Sequence, residues 1–159
     1  MSTLRVSLSV TALATALTAS AFAQAPPSPS PAKRAIDERK AIFTLIGSNF
    51  RPLGEQLQGR GSLDATEARK RAERLAFLSS LATDAFSDVS NVGEPGTRAK
   101  AEVWSKRADF DKAIADFVKH SQALAQTAAT QPPTSDAFKS AAGAVAQDCK
   151  GCHDTFRGK

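Results

Sequence analysis

The sequence predicts an all-α chain, an antiparallel up-down bundle of four helices, and three observations carry that prediction. No stretch alternates apolar and polar residues long enough to read as a strand, apolar residues recur at steps of three and four, and glycine and proline gather between the periodic runs. Four segments result, at about 33–58, 64–88, 98–128 and 134–157, parted by GRGS (59–62), SDVSNVGEPGT (87–97) and ATQPPTS (129–135). Helices with one apolar stripe each and mostly short links bury those stripes best as a bundle.

Ahead of the first helix, Arg5 precedes the apolar run Val6 to Leu17, and Ala21-Phe22-Ala23 has the small-x-small pattern of a signal-peptidase site. Residues 1–23 therefore read as a cleaved signal peptide, with the periplasm as the expected destination. A membrane anchor is the competing reading, but an apolar core of roughly 12 to 15 residues falls short of the about 20 that span a bilayer. No membrane span is expected in the mature protein. Cleavage also removes Met1, the only methionine. Residues 24–32, QAPPSPSPA, read as a disordered Pro/Ser-rich leader. Residues 33–159 then form the bundle, long enough to bury a core without cross-links. The 21 basic residues exceed the 16 acidic ones only mildly and are spread along the chain, and tyrosine is absent, so no nucleic-acid footprint is evident.

The first helix has its stripe at Ile36, Arg39, Phe43, Ile46, Phe50, Leu53 and Leu57, with Pro52 inside it. An interior proline removes a backbone hydrogen bond, so a kink or break is expected near Ser48 to Arg51. The second carries Leu75, Leu78, Ala82, Ala85 and Val89, and Asp64 with Glu67 has the capping-box pattern at its start. The third carries Val103, Phe110, Ile114, Phe117, Ser121, Leu124 and Ala128. The fourth opens after Thr134 as cap candidate and carries Phe138, Ala142, Val145, Cys149, Cys152 and Phe156. Both cysteines are thus expected on a buried stripe.

Cys149, Cys152 and His153 spell Cys-Lys-Gly-Cys-His, the attachment pattern of c-type haem. Two thiols one helical turn apart each add to a haem vinyl group, and the next residue places an imidazole under the iron. One covalent haem c, with His153 as axial metal ligand, is the cofactor expected. Two alternatives compete. A thioredoxin-like redox pair needs a strand before the motif and a βαβ setting, which the pattern lacks. A zinc site needs a fourth ligand, and only His120 remains among the cysteines and histidines.

The order of four helices with the motif at the end of the last one resembles the class II c-type cytochromes, in particular the cytochrome c′ family. That family is itself an established example of the up-down four-helix bundle. The resemblance covers about residues 34 to 158, through RKAIFTLIG, EVWSKRADF and CKGCHDTFR.

It implies a role for the opposite face of the iron. Low-spin electron carriers of the class, such as cytochrome c-556, place a first-helix methionine there; in this chain the matching position is Phe43. His120 lies beside its helix's stripe, about 60 degrees from Phe117, and reads as a boundary histidine, with bis-histidine ligation as the alternative. The expectation is a five-coordinate, high-spin iron under Phe43, open to small gases such as NO and CO. A low-spin carrier exchanging electrons with periplasmic redox partners is the alternative function.

Arg39 is a charge on an apolar stripe, costly unless paired. The resemblance gives it a haem propionate as partner, with snorkelling to solvent as the bland alternative. Arg157, four residues after His153, corresponds to an arginine of the proximal pocket, or simply complements the helix dipole. Trp104 reads as core. A peroxidase wants a distal base and a polar donor, neither of which Phe43 offers, so no enzyme activity is expected. The family's homodimers also imply a contact through the first two helices, to which Phe77, Leu81 and Phe86 are candidates unless they widen the core stripe.

Overall fold

A computed structural model describes residues 28–90 and 95–158 of the chain. The signal peptide expected at 1–23 lies outside the described residues, as does the leader up to residue 27. The described helices are α1 Pro31–Leu57, α2 Ala65–Leu81, α3 Glu102–Ser105, α4 Arg107–Thr130 and α5 Asp136–Phe156, with a 3-10 turn at Asp88–Ser90.

Helix α1 begins inside the expected leader. Ser30 Oγ accepts the Lys33 N–H at 3.0 Å, and Pro31 sits at the first helical position, where its missing N–H costs nothing. Pro52 does not end the helix, which continues to Leu57. The carbonyl of Ser48, which Pro52 leaves without its helical donor, accepts from Arg71 Nη1 of α2 at 3.2 Å. After α1 the chain reverses in a Schellman motif: Gly59 N–H bonds to Gln56 O at 3.1 Å and Arg60 N–H to Glu55 O at 2.9 Å, with Gly59 at φ +69°.

Asp64 caps α2 through the Glu67 N–H at 2.8 Å, while the Glu67 carboxylate turns to Arg71 at 2.7 Å. The helix stops at Leu81, short of the expected 88. Its ladder tightens at Ala82, whose N–H bonds to Ser79 O at 3.1 Å, and the chain then leaves the axis to bring Phe86 and Ser90 against α1. Val89, expected on the stripe, is consequently exposed.

The expected third helix is divided. Lys106 leaves helical geometry at φ −117° and ψ 48°, separating α3 from α4, and Ala99 before it pairs in an antiparallel bridge with Arg157. Ser135, one residue beyond the expected Thr134, caps α5 by accepting the Phe138 N–H at 3.2 Å.

The four long helices pack in a ring: α1 on α2, α2 on α4, α4 on α5, and α5 back on α1. Leu53, Leu75, Phe110, Leu124, Phe138 and Val145 meet at its centre. Burying each such side chain stabilises the bundle by roughly 1.5–3 kcal/mol. Among the described residues, no helix is long and apolar enough to cross a membrane.

Candidate haem site

The alanine-rich segment Ala141 to Ala146 carries α5 without interruption to the last two turns, where Cys149, Cys152 and His153 lie. A separation of three residues sets the two thiols about 60 degrees apart and about one turn apart along the axis, on one face. Both are free, and both are only half-buried at the edge of the core. The stripe expected to be buried throughout is buried at Phe138, Ala142, Val145 and Phe156 and opens at the cysteines. Burial pushes the Cys149 thiol up to about 11, with the Asp148 carboxylate and Cys152 adding to it. Cys152 is raised for the same first reason, with Asp148 contributing.

His153 is exposed on the last turn of the helix. Desolvation first and the Arg157 cation next hold its imidazole below the ordinary range; Arg98 adds to this and Asp154 opposes it. The neutral ring, the form that ligates metals, is thereby favoured.

Arg157 is near His153, but not as the next turn of the same helix. The helix ends at Phe156, and Arg157 is extended at φ −115° and ψ 129°, its N–H still reaching His153 O at 3.3 Å. Lys100 N–H to Phe156 O at 2.9 Å and Gly158 N–H to Arg98 O at 2.7 Å dock this tail on the segment before α3. Two extended segments finding each other offer the backbone partners that a continued helix would have offered.

Arg39 is buried at 5% exposure, so its guanidinium does not snorkel to solvent. Nη1 donates to Ser90 Oγ at 2.9 Å and Nη2 to Thr97 Oγ1 at 2.7 Å, and the guanidinium lies over the Phe86 ring at 4.8 Å. Among the described residues no carboxylate pairs with it, and burial lowers its pKa.

Phe43 is half-buried and meets Phe86 edge-on with ring centroids 5.7 Å apart. His120 is not free: its Nδ1 lies 2.7 Å from Asp148 Oδ2, tying α4 to α5 beside Cys149. Trp104 packs against the core, and its Nε1 is buried without a hydrogen-bond partner among the described residues.

Of the three residues read as either dimer contacts or a widening of the core stripe, Phe86 turns inward, whereas Phe77 and Leu81 stay exposed. Sequence reasoning missed three of these participants. Ser90 and Thr97 lie in a polar loop with nothing local to tie them to Arg39, and Asp148 is one of many surface-type acids until α4 is set beside it.

The model of the cytochrome c′ family matches residues 34–157, the span of the bundle. The chain belongs to the cytochrome c′ family. It is 37% identical over 125 residues to cytochrome c′ of Rubrivivax gelatinosus, covering 79% of this chain and 95% of that one. Cytochrome c′ of Shewanella frigidimarina superposes with a TM-score of 0.75 at 32% identity, over 83% of this chain and all of that one. A ferrous variant of cytochrome c′ from Alcaligenes xylosoxidans, solved with bound NO, superposes with a TM-score of 0.71 at 27% identity, over 83% of this chain and 99% of that one. The chain is thus a monohaem c-type cytochrome, with one haem c attached through Cys149 and Cys152.

The residues present fit that group. Two free, protonated thiols sit on one helical face at the edge of the core, and a buried guanidinium lacks a carboxylate among the described residues. The thiols offer attachment, and the guanidinium offers a cation to an anionic substituent.

Proposed function

We propose that this cytochrome c′ is a periplasmic haemoprotein with a five-coordinate, high-spin iron, which binds small uncharged gases such as NO and CO and exchanges electrons with redox partners. The observation that carries the proposal is that Phe43, the α1 residue matched to the sixth-ligand position, is a half-buried phenyl ring with no donor atom for iron. Met1 is the only methionine, so none is left in the bundle for that position, and His120 Nδ1 is engaged with Asp148 in tying α4 to α5. The haem supplies an iron redox couple and one open coordination position.

The chain's own residues do the rest. Cys149 and Cys152 anchor the group, His153 ligates as a neutral imidazole, and Arg39 offers a buried cation to a propionate. Phe43 covers the open face and gives it no hydrogen-bond donor. Small diatomics pass that ring at a steric cost, and O₂, which wants a donor to steady a polarised complex, binds poorly. Arg157 remains on the proximal side, where its charge acts on His153. The NO complex of the Alcaligenes relative supports this reading by likeness of fold.

The bundle also supports a homodimer through α1 and α2. Leu45 is 51% exposed and Phe77 66% exposed, and both line one open groove with Asn49, Lys70, Glu73 and Arg74.

Electronic absorption of the ferric, ferrous and NO-treated protein tests the proposal. High-spin ferric and ferrous spectra are expected, and NO should change both. A sharp, split α/β pair in the ligand-free ferrous protein would sink the open-site reading.

A further inference from the structure

Four phenylalanines from four parts of the chain stand in file. Phe43 of α1 meets Phe86 of the loop after α2 at 5.7 Å, Phe86 meets Phe110 of α4 at 4.7 Å, and Phe110 meets Phe156 of α5 at 5.2 Å. All three contacts are edge-to-face, at interplanar angles of 70°, 67° and 86°, the arrangement ring quadrupoles prefer. The two ends of the file differ. Phe110 and Phe156 are fixed in the core at 1% and 6% exposure, whereas Phe43 is half-buried and borders solvent.

Phe86 stands between these ends and is itself held on a further side. The Arg39 guanidinium lies over its ring at 4.8 Å, in cation–π range, and that guanidinium is fixed by Ser90 and Thr97. Among the described residues Phe43 has one aromatic partner, and it is Phe86.

We infer that Phe86 is the positioning residue for Phe43: it passes the rigidity of Phe110 and Arg39 to the half-buried ring and so sets how readily a small ligand passes that ring. The inference rests on the proposed place of Phe43 over the open face. Packing density supplies the physical reason. A ring backed by a fixed ring moves only by displacing it, whereas a ring backed by a void turns into the void.

The test uses the ferrous holoprotein and CO in stopped flow, with variants Phe86→Ala, Phe86→Tyr, Phe43→Ala and the double Phe43→Ala/Phe86→Ala. Phe86→Ala should speed CO association about three- to tenfold, the rate equivalent of one aromatic contact. Phe86→Tyr, which keeps the ring, should stay near the parent rate. The double variant should match Phe43→Ala alone, because Phe86 acts through Phe43. Parent-like association in Phe86→Ala overturns the inference, and so does a gain that persists in full when Phe43 is already Ala. Unchanged association in Phe43→Ala overturns instead the reading of Phe43 as the covering residue, and the two failures are therefore distinct. A readout independent of gas binding is the thermal-unfolding cycle of the parent, Phe43→Ala, Phe86→Ala and the double variant: non-additive losses are expected, and additive ones count against contact-borne positioning. Should Phe86→Ala not fold, Phe86→Leu removes the ring and leaves a smaller void, and the same outcomes apply at a smaller fold-change.

Discussion

Arg71 Nη1 donates to the carbonyl of Ser48 at 3.2 Å, the one backbone oxygen that Pro52 deprives of its helical donor. The bond joins α2 to α1 where α1 would otherwise expose a defect, and Arg71 is held in place by Glu67 at 2.7 Å. Arg71→Ala should therefore destabilise the protein by about 0.5–1.5 kcal/mol, the net worth of one such hydrogen bond, since water takes over the exposed Ser48 carbonyl. In a Pro52→Ala background Ser48 regains a helical donor, and the same substitution should cost distinctly less. Thermal unfolding of the four proteins measures the coupling; equal costs in both backgrounds would show that Arg71 does not compensate for the proline.

A second clamp joins α4 to α5. His120 and Asp148 are 2.7 Å apart with side chains 35% and 14% exposed, so the pair is partly shielded from water. His120→Ala and Asp148→Ala should each cost about 1 kcal/mol, and the double variant should cost less than their sum. Chemical denaturation checks this. Neither variant should change the spin state, because His120 is no iron ligand in the proposed site; a spin-state change in His120→Ala would contradict that assignment.

Association should respond to the groove between α1 and α2. Phe77→Glu sets a charge on an exposed apolar ring beside Leu45 and Glu73, and burying an unpaired charge is prohibitive. Sedimentation should show a dimer for the parent protein and a monomer for the variant, with absorption spectra unaltered. A parent protein that sediments as a monomer refutes the dimer.

Before haem attachment, Cys149 should be a reluctant nucleophile. Its folded pKa is raised to about 11 from an ordinary 9.0, so the fold disfavours the thiolate. By linkage, the contribution that this thiol makes to the stability of the haem-free fold is fully present below pH 9 and is lost as pH rises through about 11. Iodoacetamide labelling of the haem-free chain across this range, read by mass spectrometry, should show Cys149 rising late in buffer and at the ordinary thiol pH in denaturant. Asp148→Asn should move the folded curve to lower pH, since the carboxylate adds to the upward shift. Coincident curves in buffer and denaturant would refute the prediction.

Much of this molecule was legible in its residues. The α4 stripe from Phe110 to Ala128 is buried as spaced, because a helix converts a 3-4 pattern into one face whatever its neighbours are. The attachment motif is equally local: Cys149, Cys152 and His153 owe their juxtaposition to helix geometry alone. The boundaries that went astray lie at Pro31, where the Ser30 cap decides, and at Leu81 and Lys106, where the backbone leaves regular helical geometry with local bonds alone. Propensity in a short window is too weak to choose there.

Residue spacing and the attachment motif alone fix the fold class, the covalent cofactor and the lack of a methionine ligand in the bundle. It took the packed helices to show that Arg39 is buried beneath loop hydroxyls, that His120 pairs with Asp148, that Arg157 leaves the helix to pair with Ala99, and that Phe86 backs Phe43. The reason is separation along the chain. Arg39 meets partners 51 and 58 residues away and His120 one 28 residues away, and no local periodicity encodes which distant residues the packed helices bring into contact.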